Sequence, residues 1–115
     1  MKPNIKGKIV GFKPYGKNLS DYYLIIEIEK NLVTEYNDKY YLTVITHSNP
    51  NPKTNLIEIE KIGNKYCFYI QPQGVLDRET VGKDIFLELS DIRCFNDKLN
   101  TIKVDQNDDI ICIQP

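Results

Sequence analysis

The sequence predicts an all-β protein, and three observations support that prediction. The 115 residues include no alanine, the strongest helix former, and sixteen isoleucines, which favour pleated and half-buried surfaces. Apolar and polar residues alternate in short runs, with turn residues roughly every ten positions. We expect a single domain, residues 1–115: a small barrel of roughly five to seven strands, OB-like (oligonucleotide-binding) or SH3-like, with a β-sandwich as the alternative.

The first two predicted strands cover residues 4–12 and 21–30. Gly7 and Gly11 lie inside the first strand, where glycine usually marks a bulge, a bend or a close backbone approach. Loop 13–18 follows and is rich in lysine and turn formers. The second strand has the clearest alternation in the chain, with one apolar face and one largely polar face.

The middle of the chain predicts a connection, a strand and a hairpin. Residues 31–38 are interpreted as a connection that ends in the turn pair Asn37-Asp38, and residues 39–47 as a strand. The segment 48–55 is rich in proline and asparagine and is predicted to form a long loop. The hairpin comprises 56–61 and 65–71, because Gly63-Asn64 accepts positive φ.

The last third of the chain predicts one helical turn and four further strands. Residues 76–82 are the only segment expected to form a helical turn, with Asp77 as its cap and Gly82 at its end. A strand is predicted at 83–89. Weaker strands are predicted at 92–95, 100–104 and 109–113.

Charge and composition exclude some functions and favour an intracellular setting. The formal net charge is -1, so no global positive field attracts nucleic acid. The longest apolar run is too short to span a bilayer and no leader pattern is present, which predicts a cytoplasmic protein with no membrane partner. The richness in lysine, asparagine and isoleucine is typical of an AT-rich genome and suggests a low-GC bacterium, or a phage or mobile element resident in one.

No residue pattern indicates catalysis, a cofactor or a metal site. His47 is the only histidine, and the three widely spaced cysteines predict reduced thiols. The run Asp105-x-Asn107-x-Asp109 lacks the glycine and the glutamate of a calcium loop, so we interpret it as a polar turn. We therefore expect a protein that is not an enzyme.

The leading functional hypothesis is single-stranded nucleic-acid binding. Tyr23, Tyr41 and Tyr69 fall out of phase with the apolar core, which predicts an exposed aromatic stripe on which bases could stack. Lysines on and after the first strand would contact phosphates. The candidate binding residues are Lys6, Lys8, Lys13, Tyr15, Lys17, Tyr23, Tyr41 and Tyr69.

Two other classes of binding protein remain open. Outward tyrosines and isoleucines beside acidic residues also suit a protein interface, as in an acidic inhibitor or adaptor that a phage or mobile element directs at a host or defence factor. A barrel that sequesters a small ligand is the second alternative. Sheet edges could also pair into a homo-oligomer.

Overall fold

The chain folds as an all-β structure of ten strands in the described residues of a computed structural model. These residues are 5–15, 17, 21–46, 53–71, 76–95, 98–104 and 107–114, with only the backbone described for 94–95 and 98–100. Two short 3₁₀ turns, at Lys30–Leu32 and Arg78–Thr80, accompany the strands. The strands are β1 (Ile5–Pro14), β2 (Tyr22–Ile28), β3 (Val33–Tyr36), β4 (Lys39–Thr46), β5 (Lys53–Ile62), β6 (Lys65–Gln71), β7 (Asp84–Glu88), β8 (Cys94–Phe95), β9 (Lys98–Lys103) and β10 (Ile110–Ile113).

The strands form one sheet, whose order is β10-β7-β1-β2-β6-β5-β4-β3. Strand β9 joins β6 in parallel and β8 pairs with β9; the other pairings are antiparallel. The all-β prediction is confirmed, but ten strands exceed the five to seven expected. Within the described ranges the order does not close on itself, since β10 and β3 stand at its two ends.

Strand β1 lies between β7 and β2, and its two glycines permit a close approach and a bulge. Its first half pairs with β7 and its second half with β2. A bulge between Ile9 and Gly11 shifts the register. At Gly7 an added Cβ would lie 2.7 Å from the carbonyl oxygen of Glu27, so only glycine permits this approach. After the bulge the strand's phase is reversed, and Lys13 lies opposite Tyr23.

Strand β6 is central because β5 and β9 share one of its edges. Residues 60–62 of β5 pair with the start of β6, whereas residues 53–59 pair with β4 instead. Strand β9 then takes over the edge at Tyr69–Gln71. The unit β3–β5 therefore diverges from the rest of the sheet, and β5 comes close to β9.

One apolar cluster covers one face of the sheet. It includes side chains from β1, β2, β4, β5, β6, β7 and β9, with Phe68 of β6 as the largest fully buried one. The in-phase residues of the predicted strands supply most of it. Ile57, Ile59 and Ile70 are buried as the hairpin pattern predicts.

The helical turn predicted within 76–82 is observed, but the expectation that it is the only one is wrong, since another 3₁₀ turn forms at Lys30–Leu32. One strand was also missed. Asp77 accepts a hydrogen bond from the Glu79 amide and caps the second 3₁₀ turn, and Gly82 has a φ of 96°. Asn37 and Asp38 have φ values of 49° and 61°, which suit a two-residue hairpin turn. That hairpin joins β4 to β3, a strand within the segment predicted as a connection. The predicted loop 48–55 also ends early, since β5 begins at Lys53.

Candidate functional site

Three of the predicted tyrosines meet on the outer face formed by β1, β2 and β6, opposite the apolar cluster. The ring of Tyr15, just after β1, stacks on Tyr23 of β2 with centroids 4.3 Å apart and planes 23° apart. The Tyr23 and Tyr69 rings are 6.2 Å apart. The ammonium group of Lys13 lies 5.6 Å from the Tyr69 ring centroid. We call these four residues the tyrosine cluster.

The prediction that Tyr23 and Tyr69 are exposed is wrong. Their exposed fractions are 7% and 6%, because Tyr15 covers Tyr23 and Lys13 lies over Tyr69. The Tyr69 hydroxyl also donates a hydrogen bond of 2.9 Å to the Glu60 carboxylate. A base would have to displace these neighbours before stacking on either ring.

Burial disfavours ionisation of two hydroxyls in the cluster, those of Tyr23 and Tyr69. Burial, followed by the hydrogen bond to Glu60, raises the pKa of Tyr69 to about 12. Burial and then the charge of Tyr15 raise the pKa of Tyr23. Both groups are therefore packing elements with a polar tip at neutral pH.

Lys6 and Lys8 lie on another part of the same face. With Glu27, Glu29 and Asp84 they line a depression of about 410 Å³. This volume is within the range of ligand pockets, but charged side chains of both signs replace the usual apolar lining. Lys17 is exposed, in a loop of which residues 16 and 18–20 lie outside the described ranges.

Tyr41 lies apart from the cluster, on the outer face of β3–β5. Tyr41 is half-buried there. Three apolar side chains on the same face are more exposed: Tyr36 at 67%, Leu56 at 65% and Ile45 at 55%. Tyr41 faces Glu58, and Leu56 faces Thr43. We call Tyr36, Tyr41, Ile45 and Leu56 the β3–β5 patch.

The members of the β3–β5 patch are diagonal neighbours in the sheet. Tyr41 is diagonal to Tyr36 across β3 and to Leu56 across β5, and Leu56 is diagonal to Ile45. Diagonal side chains lie within reach of one another when they are long. Lys39 is the cation beside the patch, and its ammonium nitrogen is 3.6 Å from the Glu58 carboxylate.

Sequence reasoning missed a second aromatic contact, on the other side of β1 and β2. The Arg78 guanidinium lies 5.6 Å from the Phe12 ring and 5.4 Å from the Tyr22 ring. This contact ties the second 3₁₀ turn to the sheet. The bulge in β1 reverses the phase of Phe12, so simple alternation could not have found it.

Asp109 is a buried anchor, which agrees with the interpretation of its segment as a polar turn. Its carboxylate accepts hydrogen bonds from the amide and hydroxyl of Ser90 at 2.9 and 3.2 Å. It also pairs with the Arg93 guanidinium. No group of three metal-ligating residues occurs in the described ranges.

The cysteine environments differ. Burial, and then the nearby charge of Glu27, raise the pKa of the Cys67 thiol to about 11, so it stays protonated and weakly nucleophilic at neutral pH. Cys112 is exposed on β10. His47 and the side chain of Cys94 lie outside the described residues.

Comparison with protein-family models, curated proteins and solved structures finds no match to this chain. No helix within the described ranges is long and apolar enough to cross a membrane.

Proposed function

We propose that the chain is a non-catalytic binding protein that docks a protein partner on the β3–β5 patch. The exposure of Tyr36, Ile45 and Leu56 on one sheet face carries this proposal. Single exposed apolar side chains are ordinary, whereas contiguous ones mark an interaction surface. Among the described residues, the three large apolar side chains that are more than half exposed, Tyr36, Ile45 and Leu56, all belong to this patch.

A protein partner suits this patch better than nucleic acid does. Tyrosine is enriched in protein interfaces, and an apolar centre with a charged rim is their usual anatomy. The neighbouring cation, Lys39, is close to the Glu58 carboxylate, which would repel a phosphate. On this proposal the chain acts as an inhibitor or adaptor, and the AT-rich composition is compatible with a phage or mobile element as its source.

Site-specific photo-crosslinking in the cells that encode the chain tests this proposal. A photo-reactive amino acid in place of Leu56 should give one discrete adduct. The same group in place of Val81, which is exposed by 38% outside the patch, should not give that adduct. A second substitution, Ile45→Lys, should suppress the adduct at position 56. No adduct, or equal adducts at both positions, would contradict the proposal.

Single-stranded nucleic-acid binding remains the second candidate, supported by the lysines along β1. Lys6, Lys8 and Lys13 are exposed on this strand, and the half-buried Tyr15 follows them. A fluorescent oligothymidine should then bind at about 50 mM salt and much more weakly at about 200 mM salt. Absence of binding at the lower salt would exclude this candidate.

We also infer that the fold is a partly open barrel of OB-like or SH3-like type, with a sandwich as the alternative. Three features support strong coiling of the sheet: the stagger of the β7 and β2 pairings along β1, the divergence of β5 from β6, and the approach of β5 to β9. Backbone nuclear Overhauser contacts would test the strand order. Two flat, separately packed sheets would favour the sandwich.

A further inference from the structure

Among the described strands β10 ends the sheet, and one hydrogen bond shows which of its residues direct their peptide groups towards β7. The Gln114 amide donates to the Asp84 carbonyl oxygen of the β7 edge at 2.9 Å. Hydrogen-bonded pairs alternate along an antiparallel ladder, so Cys112 also directs its peptide groups towards β7. Ile111 and Ile113 therefore direct their N–H and C=O groups away from the sheet. Neither residue has a backbone partner on that side among those the structure describes.

This edge lacks the devices that normally protect edge strands. Residues 110–113 are Ile-Ile-Cys-Ile, with no charge, no proline and no bulge. Ile110 is 41% exposed and Cys112 is exposed beside it on the outer face. The opposite edge, β3, is equally short but carries Glu35. Of the two ends of the sheet, β10 is thus the better template for another strand.

We propose that β10 pairs antiparallel with β10 of a second copy of this chain about a two-fold axis. The outward peptide groups then bond Ile111 to Ile113 of the copy and Ile113 to Ile111 of the copy. Cys112 lies on the axis opposite its own equivalent, as a non-hydrogen-bonded pair. Such pairs have Cα atoms about 4.5 Å apart, within the range that a disulfide spans.

A second copy is the occupant that charge and packing favour. No like charges meet across the axis because the strand is uncharged, and the net charge of each chain is only -1. On the inner face Ile111 and Ile113 are half-buried against the core, so two copies would extend one apolar layer across the junction. The isologous arrangement closes as a dimer, whereas β10 against β3 would propagate.

Oxidative trapping tests the register. With diamide, two Cys112 thiols should lose two protons and two electrons to the reagent, which becomes the hydrazine, and form one intermolecular S–S bond. Peptide mapping should identify the Cys112–Cys112 link, and Cys112→Ser should abolish it. The double variant Cys112→Ser/Gln114→Cys also has an exposed thiol, but Gln114 would face Ile110 of the copy, so trapping should be much slower. Equal trapping at both positions would overturn the register.

Sedimentation equilibrium of the reduced protein tests the dimer itself. The wild type should show a reversible monomer–dimer equilibrium, and Cys112→Lys, which places two ammonium groups on the axis, should be a monomer with an unchanged circular dichroism spectrum. A wild type that stays monomeric at high micromolar concentration would overturn the proposal. A dimer that persists in Cys112→Lys would also overturn it, because its interface would then lie elsewhere.

Discussion

At the residue scale, the burial of a side chain is hardest to predict from sequence where residues of another segment cover it. The phase of Tyr23 and Tyr69 was predicted correctly, because β2 and β6 alternate regularly. Their burial was not predictable, because it depends on Tyr15 from a loop and on Lys13 beyond a bulge. Strand alternation tells which face a residue occupies, but not what covers that face.

The two glycines of β1 give a matched stability test. An added Cβ at Gly7 would meet the Ile26 side chain and the Glu27 backbone at 2.7 Å, so Gly7→Ala should destabilise the fold by about 1–3 kcal/mol. At Gly11 the nearest atom would be Ile25 Cδ1 at 3.7 Å, so Gly11→Ala should be nearly neutral. Urea unfolding of both variants measures the difference. Equal effects would contradict the close approach at Gly7.

The buried thiol predicts a pH dependence of stability. Because folding raises the pKa of Cys67 from 9.0 to about 11, the folded state favours the neutral thiol. This contribution is complete below pH 9.0 and is lost as the pH rises through about 11. Cys67→Val should therefore lose less unfolding free energy than the wild type over that interval, as measured by urea titrations. Parallel pH profiles would show that the thiol is not desolvated.

At the element scale, long alternating runs were predictable and short or irregular elements were not. The strands β2, β4, β6 and β7 were found near their observed positions, since each alternates over several residues. Strand β3 has only four residues, Val33–Tyr36, and three of them are exposed, so no alternation between buried and exposed positions marks it. The bulge in β1 could be suspected from its glycines, but its register could not.

The contacts of Asp109, which precedes β10, with the segment that follows β7 give a prediction at this scale. Asp109 holds residues 90–93 through Ser90 and Arg93, and its side chain is fully buried. Asp109→Ala should cost about 3 kcal/mol, because it leaves buried donors and a cation without their acceptor. Asp108→Ala, an exposed neighbour, should change the unfolding free energy by less than about 0.5 kcal/mol. Thermal and urea unfolding of the two variants would contradict this role if the losses were alike.

At the scale of the whole molecule, strand order decides which outward residues share a surface. The strand pattern predicts that Tyr41 shares an outward aromatic stripe with Tyr23 and Tyr69. The divergence of β3–β5 from β6 separates Tyr41 from the other two. It also sets Tyr36 and Leu56 beside Tyr41, two residues that the outward tyrosine pattern did not single out. The β4–β5 pairing is non-local, so local patterns in one sequence do not encode it visibly, and Tyr36 reaches Tyr41 through a hairpin whose first strand was interpreted as a connection.

The affinity of the purified partner, once crosslinked at position 56 and identified, tests the central claim most directly. Wild type, Leu56→Lys and Val81→Lys would be compared by calorimetry, with circular dichroism to confirm that each is folded. A buried charge at a binding hot spot should weaken the affinity of Leu56→Lys at least about thirtyfold. Val81→Lys should bind like the wild type. Unchanged affinity for Leu56→Lys, or equal losses in both variants, would contradict the β3–β5 patch as the docking surface.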